Sequence, residues 1–342
     1  MPWLAIALVA TLALAVTAVG SAKPAAATKI AAPTAVAATP LKIALVTDIG
    51  GLDDRSFNFL ANKGLTRAKN TLKVQTRVYI SKSNADYVPN LVSAARVYKA
   101  NLVIAVGFLM ADAVTAAAKR YPKTKFAIID YSAPTLKGKP KNVRGLLFRE
   151  QEAGYLVGVA AATVSKSKTV GSVGGLKIPP VDHYIAGYQY GAKQTKGGMT
   201  TLNGYSQEFV AQDKCKEQAL NQIDQGADVV FAVAGQCGLG ALSAAKERGK
   251  WAIGVDADQG YIGTHVLTSA LKKVDVAVYT TIALTKSGKY KGGVDATFTV
   301  KNGGVGYGRV SAKAPANLRT KLDAVVALIK AGKITGIPTT VK

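Results

Sequence analysis

Histidine and cysteine are scarce in this chain of 342 residues, which holds two of each. His183 and His265 stand in no paired motif with a serine or cysteine, which argues against a catalytic triad. Cys215 and Cys237 lack the spacing of a zinc site, and residues 46–58 are acidic but do not match an EF-hand loop. No P-loop motif is present. We therefore expect no metal and no cofactor, while a hydrolase with two cleft carboxylates stays an alternative.

Acidic residues are also few, because 20 Asp and Glu stand against 44 Lys and Arg and give a net charge of +24. In nucleic-acid-binding proteins, basic residues gather on one face or alternate with aromatic residues. Here the lysines are scattered over helix ends and loops, as in residues 119–125 and 137–144. The pattern argues against a nucleic-acid partner. Either the charge serves solubility alone, or it attracts the protein to anionic lipid headgroups or wall polymers.

Long apolar runs are confined to the start of the chain. Residues 1–22 are apolar and end in small residues, which is typical of a signal peptide, although no Lys or Arg precedes the run. An uncleaved membrane anchor is the alternative, because the run approaches spanning length. Residues 23–40 are rich in Ala, Pro and Thr, which indicates a flexible linker. We expect an exported protein, periplasmic or cell-surface, whose folded part begins near Leu41.

From Leu41 onward, short β-branched runs alternate with amphipathic segments. This alternation is typical of parallel strands that helices cover on both faces. The predicted strands are residues 42–46, 74–80, 102–107, 125–130, 169–175, 200–205, 228–235 and 251–256. Beyond them we predict a helix over 274–287, a strand pair within 295–308 and a last helix over 316–331. The sequence predicts an α/β protein with two doubly wound parallel-sheet lobes.

The series of strands and helices also predicts how the chain divides between the lobes. We assign residues 41–147 to an N-terminal lobe that is completed by about 258–300. We assign residues 148–257 to a C-terminal lobe that is completed by about 301–342. A tail that must pack on both lobes implies several crossovers at a hinge.

Acids, glycines and aromatic residues follow the predicted strands. The first strand leads into the stretch VTDIGGLDDRSFN at residues 46–58, and later strands end at Gly107, Asp130, Gly235 and Asp256. In open parallel sheets, ligands bind beyond the carboxyl ends of the strands. We therefore predict a cleft between the lobes that suits hydroxyl groups and a flat ring.

These stretches together resemble the basic membrane protein family, the purine-nucleoside receptor-like substrate-binding components of ABC importers. The resemblance runs from about Leu41 to the C-terminus and includes VTDIGGLDDRSFN, FREQEAGYLVGVAAA, QGADVVFAVAGQCGLGALSAAKERG and WAIGVDADQGY. It implies a periplasmic-binding-protein type I fold, in which a three-strand hinge joins two lobes and a nucleoside is closed between them. It also implies ABC permease and ATPase partners. We expect a monomer without enzymatic activity.

The resemblance further implies a set of ligand-binding residues. Phe57 matches the aromatic residue that stacks on the base, and Phe231 is the candidate for the second face, for which Phe209 competes. Asn58 is expected at the edge of the base. The remaining positions accept or donate hydrogen bonds to base or sugar, or let the backbone approach the sugar: Asp48, Asp130, Gly235, Asp256 and Lys272.

Two features depart from the family pattern. Family members are commonly lipoproteins, but residues 1–40 contain no cysteine, so we expect no lipid anchor on an N-terminal cysteine. Cys215 and Cys237 fall in the family's loop regions, at helix starts on one sheet edge. We predict a disulfide between them, with two buried thiols as the alternative.

The alternative functions are a ligand sensor or surface-interaction protein on the same fold and, less favoured, a nucleoside hydrolase.

Overall fold

A computed structural model describes residues 40–341 of the protein. The predictions of a signal peptide or anchor at residues 1–22 and of a linker at 23–40 lie outside these residues, apart from Pro40. Between residues 40 and 341, no helix combines the length and the apolar character that a bilayer crossing requires.

The described residues form twelve strands in two sheets. The first sheet contains β1 (Lys42–Val46), β2 (Gln75–Tyr79), β3 (Leu102–Ala105), β4 (Lys125–Ile129), β5 (Val143–Phe148) and β11 (Val294–Phe298). The second sheet contains β6 (Thr169–Gly174), β7 (Thr200–Tyr205), β8 (Val229–Val233), β9 (Trp251–Asp256), β10 (Val266–Lys272) and β12 (Val305–Tyr307).

The two sheets repeat one topology. Their spatial orders are β11-β5-β4-β3-β1-β2 and β12-β10-β9-β8-β6-β7. Every neighbouring pair is parallel except β10 and β12, which are antiparallel. The central strands are apolar and buried throughout, because helices cover both faces of each sheet. The prediction of two doubly wound parallel-sheet lobes is confirmed.

Nine α-helices of the described chain pack on these sheets. They are α1 (Phe57–Leu72), α2 (Tyr87–Val92), α3 (Ala111–Arg120), α4 (Glu150–Val164), α5 (Pro179–Thr195), α6 (Gln212–Asp224), α7 (Gly238–Glu247), α8 (Val274–Lys286) and α9 (Leu318–Lys330). Helices α4 and α5 pack closely against each other, because glycines replace side chains at their contact. A Cβ on Gly154 would lie 2.1 Å from the carbonyl oxygen of Tyr184.

The chain crosses between the sheets at three places. These are the steps from β5 to α4, from β10 to α8, and from β11 to β12. The second crossing differs from the predicted division, because β10 (residues 266–272) pairs with β9 and completes the second sheet instead of the first. The strands predicted as a pair within 295–308 are also separated: β11 pairs with β5, and β12 pairs with β10. Three crossings agree with the three-strand hinge that the resemblance implied.

A disulfide joins Cys215 of α6 to Cys237 just before α7, which confirms the predicted bridge. The two Cα atoms are 5.5 Å apart, and both side chains are fully buried. The bridge therefore fixes α6 against α7 beside the second sheet.

We expect the Cys215→Ala/Cys237→Ala variant to have a free energy of unfolding about 3 kcal/mol lower than that of the oxidised protein. The reason is that the bridge closes a loop with a sequence separation of 22. Urea denaturation monitored by circular dichroism measures this loss. The wild-type protein in a reducing agent is the control and should match the variant. If oxidised protein and variant unfold together, the bridge does not stabilise the second lobe.

Candidate functional site

A cleft opens between the lobes at the carboxyl ends of both sheets. It encloses about 630 Å³ of empty space, its open mouth included. Seven of the eight ligand-binding residues predicted from the sequence line this cleft: Asp48, Phe57, Asn58, Asp130, Gly235, Asp256 and Lys272. The structure therefore brings together side chains that stand more than 200 positions apart in the sequence.

Phe231 does not line the cleft, so its predicted place in the pocket is corrected. It lies in the middle of β8, has no exposed surface, and packs against the rings of Tyr184 and Tyr188. The centroid distances are 6.0 Å and 5.1 Å, respectively. Phe209, the competing candidate, lines the cleft from the loop after β7. Phe231 is a core residue, and the second lobe presents Phe209 and Tyr184 to the cleft instead.

Asp48 lies directly beyond β1 and is almost fully buried. Its Oδ1 accepts hydrogen bonds from the backbone N–H of Ile49 at 2.8 Å and from the hydroxyl of Tyr87. A Cβ on Gly107 would lie 2.2 Å from Oδ2, so only glycine, here with a φ of +121°, fits beside this carboxylate. Burial raises the pKa of Asp48 to about 6. Asp48 therefore holds its proton more tightly than an exposed aspartate does.

The first turn of α1 holds the loop that carries Asp48. Asp54 caps the helix, because its carboxylate accepts from the backbone N–H groups of Asn58 at 2.7 Å and Phe59 at 3.0 Å. The side chain of Asn58 accepts from the N–H of Asp48 at 2.8 Å and donates to the carbonyl of Ile49 at 3.3 Å. Two of the four hydrogen bonds that the Asn58 amide can make are therefore used inside the protein, and they brace the loop.

A buried ion-pair cluster lies at the base of the cleft. Lys272 is only 2% exposed, and its Nζ donates to Asp130 Oδ2 at 2.7 Å and to Glu150 Oε1 at 3.0 Å. Glu150 Oε2 lies 3.1 Å from His183 Nδ1. The sequence analysis missed Glu150 and His183, although the acid in the first turn of α4 follows a strand end as the other site acids do. The second oxygen of Asp130, Oδ1, has no hydrogen-bond partner within residues 40–341.

Burial and charge act in opposite directions on the pKa values of this cluster. Burial raises the pKa of Asp130 to about 7 even though Lys272 opposes the shift. Burial also acts to raise the pKa of Glu150, but Lys272 and His183 outweigh it and hold that pKa below its ordinary value. Burial acts to lower the pKa of Lys272, yet the surrounding carboxylates raise it. Lys272 is therefore held as a cation beside an ionised Glu150.

Aromatic rings surround the ammonium group of Lys272. Its Nζ lies 5.0 Å from the ring centroid of Phe57, 4.9 Å from that of Phe148 and 6.0 Å from that of Tyr184. These distances fall within the range of cation–π attraction. Phe57 therefore lies beside the cation and also lines the cleft, so its ring can serve as a stacking surface.

Asp130 and Asp256 occupy equivalent places in the two lobes, at the ends of β4 and β9. Both have left-handed backbone conformations, with φ of 69° and 59°, which are uncommon for residues other than glycine. The carboxylate of Asp256 accepts from Ser56 Oγ at 2.7 Å and from the Tyr184 hydroxyl at 3.1 Å. Burial raises its pKa as well. The fold thus aims one carboxylate from each lobe at the cleft.

Two lobes with one repeated topology, three crossings and a polar cleft at the strand ends define a solute-binding protein of the periplasmic-binding-protein type I fold. The chain belongs to the Bmp family, the PnrA-like ABC transporter substrate-binding proteins, whose sequence model matches residues 41–335. It therefore serves an ABC transporter, with a ligand and with permease and ATPase partners.

Three similar proteins support this assignment. The ABC transporter nucleoside-binding protein BmpA of Lactococcus lactis subsp. cremoris is 38% identical over 79% of this chain and 82% of its own length. Basic membrane protein A1 of Borrelia garinii subsp. bavariensis is 32% identical over 82% and 84%, respectively. The crystal structure of an ABC transporter solute-binding protein from Aeropyrum pernix K1 superposes with a TM-score of 0.78 at 28% identity, covering 87% of this chain and 94% of that one.

Proposed function

We propose that the protein binds a nucleoside, most favourably a purine nucleoside, between its lobes and delivers it to the ABC permease. The observation that carries the proposal is the unpartnered carboxylate oxygen of Asp130 in a cleft that Phe57 also lines. A buried acceptor without a partner costs free energy, which a ligand N–H or O–H donor removes on binding. The similar protein from Lactococcus lactis is named for nucleoside binding.

The other groups of the cleft fit the two halves of such a ligand. Phe57 and Phe209 present aromatic surfaces, and stacking on an aromatic side chain contributes about 1–3 kcal/mol per base. Asp48 and Asp256 offer carboxylate oxygens to the N–H groups of a base or the hydroxyls of a ribose. Gly235, with a φ of 54°, lets the backbone approach the ligand without a side chain.

Titration calorimetry tests the proposal with adenosine, guanosine, inosine and cytidine, and with free ribose as the control. We expect the purine nucleosides to bind more tightly than cytidine, and ribose to bind weakly or not at all. Tight binding of ribose or another free sugar, without binding of any nucleoside, would overturn the ligand assignment.

Chromatography of the nucleoside after incubation distinguishes a binding protein, which leaves the nucleoside intact, from a hydrolase, which releases the free base.

We expect Phe209→Ala to weaken nucleoside binding about 10-fold to 100-fold while the free energy of unfolding changes little, because Phe209 lines the cleft. Phe231→Leu is the matched control. It should lower the free energy of unfolding by about 1–2 kcal/mol and leave the dissociation constant unchanged, since Phe231 is buried in the core. Calorimetry and urea denaturation measure both variants. If Phe231→Leu weakened nucleoside binding and Phe209→Ala did not, Phe231 would be the residue that contacts the ligand.

A further inference from the structure

The outer end of the first lobe, where the amino ends of its strands lie, carries charge of one sign only. The five segments that lead into β2, β3, β4, β5 and β11 meet there, because parallel strands begin at the same edge of a sheet. The segments are residues 69–75, 96–101, 119–125, 137–144 and 286–293. Together they hold fifteen Lys and Arg and no Asp or Glu. We call this surface the basic end.

The cations of the basic end are available to a partner. Thirteen of the fifteen side chains are exposed, and the other two, Lys125 and Arg144, are half-buried. Across residues 40–341, no ion pair joins any of the fifteen to a carboxylate. Their mutual repulsion is therefore not offset inside the protein, and a negatively charged surface would relieve it.

Hydrogen bonds tie the segments of the basic end to one another. Arg144 Nη1 donates to the carbonyl of Lys291 at 3.1 Å, and Lys286 Nζ donates to the carbonyl of Leu72. The side-chain amide of Asn142 donates to three carbonyl oxygens between residues 118 and 124. The basic end is therefore one connected surface and not a set of independent loops.

The corresponding end of the second lobe is different. Asp224, Asp228 and Glu247 lie there among the basic residues. Arg248 Nη1 contacts Asp224 at 3.1 Å, and Lys216 Nζ contacts Glu247 at 2.8 Å. Because the two lobes share one topology, the difference lies in the side chains. Lysines without an ion pair among residues 40–341, such as Lys166 and Lys193, are present there too, but of the two ends the basic end alone lacks acidic residues, and a need for solubility alone would not produce that difference.

The polypeptide also enters the folded part at the basic end. Strand β1 begins at Lys42, so residues 1–39, with their apolar run at 1–22, join the first lobe at this edge. The cleft lies at the opposite, carboxyl end of the same strands. A bilayer that met the basic end would leave the ligand site, at the opposite edge of the sheet, open to the solvent.

We propose that the basic end docks the protein on a bilayer surface that contains anionic phospholipid. Lysines near such a surface are attracted to it, and the attraction falls with salt. The aromatic residues at this end do not suit base stacking, because they are half-buried and lie beside cations: Tyr98, Tyr121 and Tyr290. The chemistry fits a diffuse array of phosphate groups.

Vesicle co-sedimentation of the full chain tests the proposal. We compare vesicles of phosphatidylcholine alone with vesicles that also contain phosphatidylglycerol, because the apolar N-terminal run contributes equally to both. The variant Lys123→Glu/Lys137→Glu/Lys289→Glu should reduce the extra binding to the anionic vesicles about 100-fold at low salt. The control variant, Lys166→Glu/Lys193→Glu/Lys214→Glu, carries the same change of charge on exposed lysines of the second lobe and should retain most of that binding.

Three outcomes would overturn the proposal. They are equal binding of the wild-type chain to both kinds of vesicle, equal loss in both triple variants, and binding to a soluble polyanion such as polyglutamate without binding to anionic vesicles. The dissociation constant for nucleoside, measured on both variants, shows that the cleft is intact and should match the wild type. The test therefore stays separate from the nucleoside proposal, because vesicle binding does not require a ligand.

Discussion

Lys272→Met is expected to lower the free energy of unfolding by about 3–5 kcal/mol and to abolish measurable nucleoside binding. The substitution leaves the carboxylates of Asp130 and Glu150 buried without their cation, and loss of one partner of a buried ion pair has a cost of this size. Binding fails for a related reason, because the ammonium group also holds Phe57 from 5.0 Å away. Urea denaturation and calorimetry measure the two effects.

Lys273→Met is the matched control, because it makes the same chemical change one residue further along, where no side-chain ion pair is present. It should change the free energy of unfolding by less than about 0.5 kcal/mol. Adding Asp130→Asn and Glu150→Gln to Lys272→Met removes the stranded charges and should restore part of the lost stability. A Lys272→Met protein as stable as the control would show that the cluster does not support the hinge.

The ion-pair cluster connects two of the three crossings that form the hinge. Lys272 stands at the crossing from β10 to α8, and Glu150 stands at the crossing from β5 to α4. Asp130 belongs to the first sheet, so the ammonium group of Lys272 links the strand ends of both lobes. A ligand that takes up the free oxygen of Asp130 therefore contacts the same group that fixes the lobe positions. We expect ligand binding to change the relative positions of the two lobes through the Asp130 carboxylate.

Much of the fold could be predicted from the sequence, because buried parallel strands such as β3 and β8 are short apolar runs with helices on either side. β5 and β10 were not predicted as strands, although VRGLLF and VLTSALK contain a smaller share of polar residues than the predicted strands β2 and β7. The partners of β11 and β12 could not be predicted either. Two strands close in sequence normally pair with each other, and only the hinge sends them to different sheets.

The site shows the same limit. Residues at strand ends, such as Asp48 and Asp256, follow from the rule that parallel sheets bind ligands at their carboxyl edge. The burial of Phe231 in the core does not follow from this rule. The face of the sheet on which a residue lies depends on strand register, and β8 is apolar at every position, so its sequence does not show which face Phe231 occupies. Glu150 was missed because β5, the strand that it follows, was not among the predicted strands.

Asp48→Asn is expected to stabilise the ligand-free protein at pH 7.5 while it weakens nucleoside binding. A pKa of about 6 in the folded state, against an ordinary value of 3.8, means that the folded protein holds this proton more tightly than the unfolded chain. Stability from this group is therefore complete below about pH 4 and falls as the pH rises towards 6. At pH 7.5 the difference amounts to about 3 kcal/mol, since each pKa unit corresponds to about 1.4 kcal/mol.

The measurement is urea denaturation of wild-type and Asp48→Asn protein between pH 4 and pH 7.5. The difference between the two should grow with pH through this range, because asparagine cannot ionise but keeps an oxygen for Ile49 and Tyr87. Glu217→Gln, an exposed substitution of the same kind in α6, should show no such growth. A constant difference across the range would mean that Asp48 keeps an ordinary pKa. The gain in stability with a loss in affinity would identify this carboxylate as one retained for the ligand at the expense of the fold.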